Sequence, residues 1–293
     1  MENSHYHCGF PCSRKMVVVL VFLLIVTASL WAEVSYSGAA KLTVSTIMDL
    51  KAESSYSIRM PVLVGEGPLT SGNNIKFKGL LGLSPIAVTF NADAILTPVA
   101  VLELNIGGAA GTGWGLTEGL QGLLVRESSL DPVSDSLGGL YYLGKAGAAL
   151  QFDTAAIFPG DWTSVVMRTY HELNYQGYTG ATAEQLWSYE LGGYRKDGFK
   201  YEADYLIGYQ MPLMLNTVAL QLETSRFYVF DDTVSDTILD LSVILNFGFT
   251  DDLSLMVVTQ FTDKERQNTT NDYQVVKGDW RFTRVVGILN YAF

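Results

Sequence analysis

The residues of this chain that could do chemistry are mostly charged, and they recur at even spacing. Lys41, Glu103, Lys145, Arg168, Glu172, Lys200, Glu202, Asp204, Glu223, Asp240 and Arg284 each fall on the polar side of an alternating segment. Sharper constellations lack their parts. After residue 32 the chain has one histidine, His171, within Tyr170-His171-Glu172-Leu173. No serine lies two residues from it, as a Ser–His nucleophile on a strand would require. No Asp-x-His is present to activate water. By parity His171 keeps company with Val165, Met167 and Leu173, the apolar side. Cys8 and Cys12, with His5 and His7 close by, have the look of a metal site but sit in a segment expected to be removed. Gly107-Gly108-x-x-Gly111-x-Gly113 lacks the Lys-Ser/Thr of a phosphate loop and opens no βαβ unit. No catalytic, cofactor or metal site is expected.

The elements that must position the charges begin behind an export signal. Arg14 and Lys15 precede the apolar run of residues 16–28, and small residues follow at Ala28, Ser29 and Ala32. Residues 1–32 are read as a signal peptide, with cleavage after Ala32. The run is too short for a spanning helix, and no stretch after residue 32 is long enough either. The mature chain would have no cysteine, so packing and hydrogen bonds must hold it. Removing residues 1–32 takes Arg14, Lys15 and Glu2 from totals of 19 basic and 30 acidic residues, leaving 17 and 29. So acidic a chain has no electrostatic footprint for nucleic acid.

Residues 33–293 read as one domain of alternating strands. Val34, Tyr36, Gly38, Ala40, Leu42, Val44, Thr46, Met48 and Leu50 occupy one face, while Lys41 and Asp49 lie on the other. Phe199 to Met211, Thr237 to Phe247, Leu253 to Phe261 and Ala100 to Ile106 repeat the pattern. A soluble sandwich also alternates. These runs are longer than the ~5–6 residues usual in soluble sheets and suit a tilted membrane span. Aromatics cluster near strand ends, at Tyr36, Tyr209, Phe230, Phe247 and Tyr291, as interfacial girdles do. The last strand sets Val285, Gly287, Leu289, Tyr291 and Phe293 in one outward row.

Compact turns are expected at Thr97-Pro98, Phe158-Pro159-Gly160-Asp161, Met211-Pro212-Leu213 and Thr250-Asp251-Asp252. Long connections are expected at 51–74, 109–138, 177–186 and 264–278. Reading Pro85 and Asp197-Gly198 as bulges gives about ten strands. Reading both as hairpins gives twelve and sends 109–138 to the periplasm; eight is the lower alternative. At Pro85 the outward face switches from odd (Phe77, Leu81, Leu83) to even (Ile86, Val88, Phe90), as a one-residue bulge would make it. Leucines at 116, 120, 123 and 124 fit a short amphipathic helix, either a plug in the mouth or a helical cap on its loop.

The ending Tyr291-Ala292-Phe293 resembles the C-terminal assembly signal of bacterial outer-membrane barrels. The wider chain resembles spirochaetal outer-membrane barrel proteins at Thr97-Pro98-Val99-Ala100 and Gly111-Thr112-Gly113-Trp114. These resemblances imply an outer-membrane location, membrane lipid around the barrel, and the barrel-assembly machinery as a partner reading Tyr291 and Phe293. The expected fold is an all-β antiparallel transmembrane barrel, and no enzyme is expected. The charges then have two readings. They pair across a narrow lumen and fill it, or they line an aqueous path whose acidic bias favours cations. The first suits a non-conducting surface barrel for adhesion, binding or envelope structure. The second suits a small porin-like channel or uptake barrel for small polar or cationic solutes.

Overall fold

The computed structural model describes residues 34–293 apart from 48, 118–119, 127–138, 183–184, 191, 194, 232–234 and 266–275. The expected signal peptide lies outside the described residues. Twelve strands close into one antiparallel barrel. In chain order they are β1 (Ser35–Ser45), β2 (Leu50–Pro61), β3 (Asn74–Leu83), β4 (Ala87–Val99), β5 (Leu102–Gly113), β9 (Tyr141–Asp153), β10 (Val165–Tyr178), β12 (Gly198–Gln210), β13 (Leu215–Phe227), β14 (Ile238–Gly248), β15 (Leu253–Lys264) and β16 (Lys277–Ala292). The four remaining short strands, β6 (Gly115–Thr117), β7 (Leu120–Gln121), β8 (Leu123–Arg126) and β11 (Leu186–Tyr189), form two small sheets apart from the barrel wall.

The strand count corrects the expectation of ten, and the twelve are not the twelve that two hairpins would give. The Pro85 hairpin is real: the Ser84 amide donates to the Ala87 carbonyl at 2.9 Å, and β3 turns directly into β4. Asp197-Gly198 is no barrel hairpin; Asp197 ends a long connection and Gly198 begins β12. The further strand is β2, inside the segment expected to be a long loop. It pairs with β1 from Ser35↔Arg59 to Val44↔Leu50 and with β3 from Ala52↔Leu83 to Pro61↔Asn74. Thr97-Pro98 also lies within a strand, because β4 runs on through Val99 past a register shift between Leu96 and Val99.

β2 reverses the direction of the chain and the Pro85 hairpin reverses it back, so every connection from 100–101 onward lies on the side that the ten-strand reading gives it. The end that holds the termini carries connections 62–73, 100–101, 154–164, 211–214 and 249–252. The opposite end carries 46–49, 84–86, 114–140, 179–197, 228–237 and 265–276. The two longest connections therefore lie together, away from the termini.

The ring closes where β1 meets β16, in register from Ala39↔Ala292 to Ser45↔Val286. Gly38 and Phe293 exchange backbone bonds of 2.8 and 3.0 Å just beyond. Tyr291 and Phe293 stack at 6.3 Å on the outer face.

Alternation sorts side chains as a membrane barrel requires. Leu42, Phe77, Phe90, Ile106, Leu150, Ile207, Leu220 and Phe282 are exposed on the outside, and Ile106 keeps 66% of its surface. The most buried apolar cluster is inside: Ala87, Leu123, Tyr141, Tyr178, Trp187 and Tyr189. Among the described residues no helix is long and apolar enough to cross a membrane; the strands do so.

Candidate functional site

The long connection between β10 and β12 enters the barrel and crosses it. Its short strand β11 pairs with β8 of the neighbouring long connection, from Leu186↔Arg126 to Tyr189↔Leu123. Three fixings hold this strap. At its base, the Trp187 Nε1 donates to Asp197 Oδ1 at 2.7 Å, and Trp187 and Arg195 exchange backbone bonds of 2.8 Å. At its middle, the Tyr189 hydroxyl donates to the Val88 carbonyl at 2.9 Å and lies 2.5 Å from Thr89 Oγ1, both on β4. At its tip, Glu190 meets Lys51 of β2 at 3.1 Å.

The ring order places β2 and β12 six places apart in a circle of twelve. A connection rooted at β12 and fastened to β2 therefore spans the bore. Glu190 adopts φ 51°, a left-handed conformation that costs a non-glycine residue about 1–3 kcal/mol. Its amide donates to the Gly122 carbonyl at 2.7 Å, so the backbone bond and the ion pair together hold the strained tip. Burial pushes the Tyr189 hydroxyl up to about 12, with the bond to Thr89 pulling the other way. It stays a neutral donor at any physiological pH. At Gly111 on β5 a Cβ would meet that hydroxyl and the Val88 carbonyl, so only glycine admits the strap so close to the wall.

This arrangement corrects two expectations. Residues 115–126 form short strands where they are described, not an amphipathic helix. Residues 186–189 lie inside the barrel rather than in its wall.

Beside the strap the lumen keeps an open cavity of about 640 Å³. Its lining is polar and includes Lys51, Lys78, Asp93, Lys145, Glu172 and Arg284 from the wall, with Tyr189, Glu190 and Arg195 from the strap. Of the residues singled out by spacing, Lys145, Glu172 and Arg284 border this cavity directly. Lys145 pairs with Asp93 at 2.9 Å and Arg284 with Asp49 at 3.6 Å. Buried Glu172 accepts from Tyr170 at 2.6 Å and Asn174 at 2.9 Å.

The others lie further round the inner wall. Arg168 sits 3.9 Å from Glu103 and 4.0 Å from Asp204. Glu202 takes Lys200 as its ion-pair partner and accepts from Asn174 at 2.8 Å. Asp204 opposes Glu223, and Glu223 opposes Asp240, in direct register on neighbouring strands. Lys41 opposes Glu53 in register. Carboxylates placed side by side repel, so this inner surface is polarised rather than neutralised.

Spacing missed Lys51, Glu53, Lys76, Lys78 and Asp93, although the last three alternate with outward Phe77 and Ala92 as clearly as the residues that were found. Lys51 and Glu53 were missed because β2 was read as a loop, whereas Lys76, Lys78 and Asp93 lie on β3 and β4, whose outward rows were read without their inward partners. His171 stands on the outer face, 2.6 Å from the Tyr201 hydroxyl and 3.0 Å from Thr169 Oγ1. Among the described residues, no group of three or more His, Cys, Asp or Glu is placed to hold a metal ion.

A closed antiparallel barrel with an apolar outside and a charged inside defines an outer-membrane β-barrel, and this chain is one. No family model matches it, and no curated protein matches it. Among solved structures it is similar to the NanC porin, with TM-score 0.42 and 8% identity over 88% of this chain and 99% of that one. It is also similar to the KdgM porin, with TM-score 0.39 and 11% identity over 88% and 99%. An outer-membrane channel from Pseudomonas putida F1 is similar at TM-score 0.41 and 10% identity, over 89% and 95%.

Proposed function

We propose that this barrel is a small porin-like channel that passes small polar solutes across the outer membrane, with the strap setting its bore. The observation that carries this reading is the polar cavity of about 640 Å³ left beside the strap. Eight-stranded barrels are filled by side chains and sixteen-stranded ones leave a wide channel, so twelve strands with one strap suit a narrow path. A lumen meant only for structural pairing would close on itself. Here Lys78 has no ion-pair partner among the described residues, and Asp204, Glu223 and Asp240 follow one another in direct register across three neighbouring strands. Such groups retain water and leave an aqueous lining. The end away from the termini, with its longer connections, faces the exterior, and Tyr291 and Phe293 are the residues offered to the assembly machinery.

A second reading has one observation in its favour. Trp187 is 0% exposed and seats the strap firmly, as a seal would be seated in a non-conducting surface barrel. Conductance of the purified mature protein in planar bilayers separates the two. Discrete steps in potassium chloride are expected. Silence across salts and voltages, from protein that keeps heat-modifiable gel migration, would leave the sealed barrel as the function.

A further inference from the structure

The cavity beside the strap is lined by acids and bases, and most of its cations are spoken for. Lys51 is held by Glu190, Lys145 by Asp93 and Arg284 by Asp49. Lys78 and Arg195 are not in ion pairs among the described residues, and of the two Arg195 is the one fixed in place. Its Nη1 donates to the neutral Gln176 Oε1 at 2.9 Å, and its guanidinium lies 5.3 Å from the Trp187 ring. Among the described residues no carboxylate comes within ion-pair distance of it. Its Nε is buried without a hydrogen-bond partner. Among the described residues its Nη2 makes no hydrogen bond, Nη2 is not among the fully buried unpartnered atoms, and Arg195 lines the cavity.

The guanidinium is also held in place. The backbone of Arg195 is bonded in both directions to Trp187. Beside it, Gly192 presents no side chain, and a Cβ there would collide with Nη2. Glu202, the acid whose charge bears on Arg195, is already engaged by Lys200 and Asn174. Burial lowers the guanidinium's affinity for its proton, yet arginine stays charged in proteins. A desolvated charge without a counter-charge is costly, and a fixed guanidinium fork is the group best matched to a carboxylate or phosphate. Tyr141 completes the site. It borders the same cavity, its ring stacks on Tyr189 at 4.4 Å, and its hydroxyl makes no hydrogen bond among the described residues.

We propose that Arg195, supported by the Tyr141 hydroxyl, is a seat for the oxyanion of a small solute, a carboxylate or phosphate group docking against the strap from the open cavity. The seat lies on the solute path proposed above and rests on that reading; it gives the path a ligand class that the acidic bias of the chain as a whole does not suggest. The remaining volume of the cavity receives the rest of the solute, which is limited to about 640 Å³.

Trp187 makes the seat observable without any current. The mature protein in detergent is titrated with inorganic phosphate, with succinate and with glucose, at constant ionic strength, and tryptophan emission is followed; a Trp187→Phe chain isolates the signal of that ring. A saturable change with phosphate or succinate and none with glucose is expected. Response to phosphate alone or to succinate alone identifies the headgroup and supports the seat. Arg195→Gln should weaken the response at least tenfold, and Arg195→Lys should keep part of it. If Arg195→Gln loses heat-modifiable migration, Gly192→Ala tests the same point by displacing Nη2 and should weaken the response as well. No saturable response to either anion, or an unchanged one in the substituted chains, overturns the seat. Channel activity without anion binding would remove the seat alone, and anion binding in a silent barrel would remove the channel alone.

Discussion

Two parts of the same inner wall carry opposite charge. On β1, β2 and β3 the inward residues include Lys41, Lys51, Arg59, Lys76 and Lys78 against Glu53. On β10, β12, β13 and β14 they include Glu172, Glu202, Asp204, Glu223 and Asp240 against Arg168 and Lys200. The ring order sets β1 across from β10, β2 across from β12 and β3 across from β13. Within each part like charges crowd together, which costs stability. A barrel built only for strength would interleave them. The separation teaches that the interior is arranged as a field across the bore, and the strap spans the same gap from the acidic side to the basic one.

The largest effect on this arrangement should come from the strap's root. Trp187→Ala removes a fully buried ring and its bond to Asp197, at a cost of about 3–5 kcal/mol. The strap should leave the lumen while the wall survives. Limited proteolysis should then cut within 179–197 in a barrel that still shows heat-modifiable migration. Resistance equal to the parent chain would mean that the strap is held elsewhere.

Next in size is the field itself. Glu223→Gln with Asp240→Asn should lower the cation-to-anion permeability ratio several-fold. Lys76→Gln with Lys78→Gln should raise it. Reversal potentials under a potassium chloride gradient read both, and shifts of the same sign in the two double variants would show that the walls do not act as opposed halves.

A smaller change is expected at the strap's tip. Lys51 and Glu190 are each about a quarter exposed, so their pair contributes roughly 1 kcal/mol or less after solvent screening. Glu190→Gln should increase current flicker, and raising the salt should have the same effect on the parent chain. The smallest is Tyr189→Phe. It removes the hydroxyl's bonds to Val88 and Thr89 and should cost about 1 kcal/mol, seen as a modest drop in the denaturant midpoint of the strap's tryptophan signal.

How far the sequence told this story depended on how local each signal was. The outward and inward faces of β1, β12 and β14 were readable because period-two alternation needs no partner. β2 was not, since Ser54, Ser55 and Ser57 among Lys51, Glu53 and Arg59 leave only small or scattered apolar residues outside, and its identity as a strand comes from pairing with β1 and β3. The face switch at Pro85 was visible, but a bulge and a tight hairpin produce the same switch, and the Ser84–Ala87 bond decides between them. Asp197-Gly198 carried a real turn signal that ended the strap instead of joining two wall strands. The strap itself was out of reach: Tyr189 finds Thr89 a hundred residues away, and no pattern within 179–197 points there. The unpaired state of Arg195 was equally hidden, because it depends on which carboxylates the fold brings near.

The central claim is that a conducting barrel is narrowed by the strap, and the most direct test pairs two chains in planar bilayers. One is the mature parent; the other has residues 181–196 replaced by a short glycine-serine link between β10 and β12. Small discrete steps from the parent and steps several-fold larger from the shortened chain are predicted. Equal conductance in the two, or silence in both from folded protein, would contradict the account.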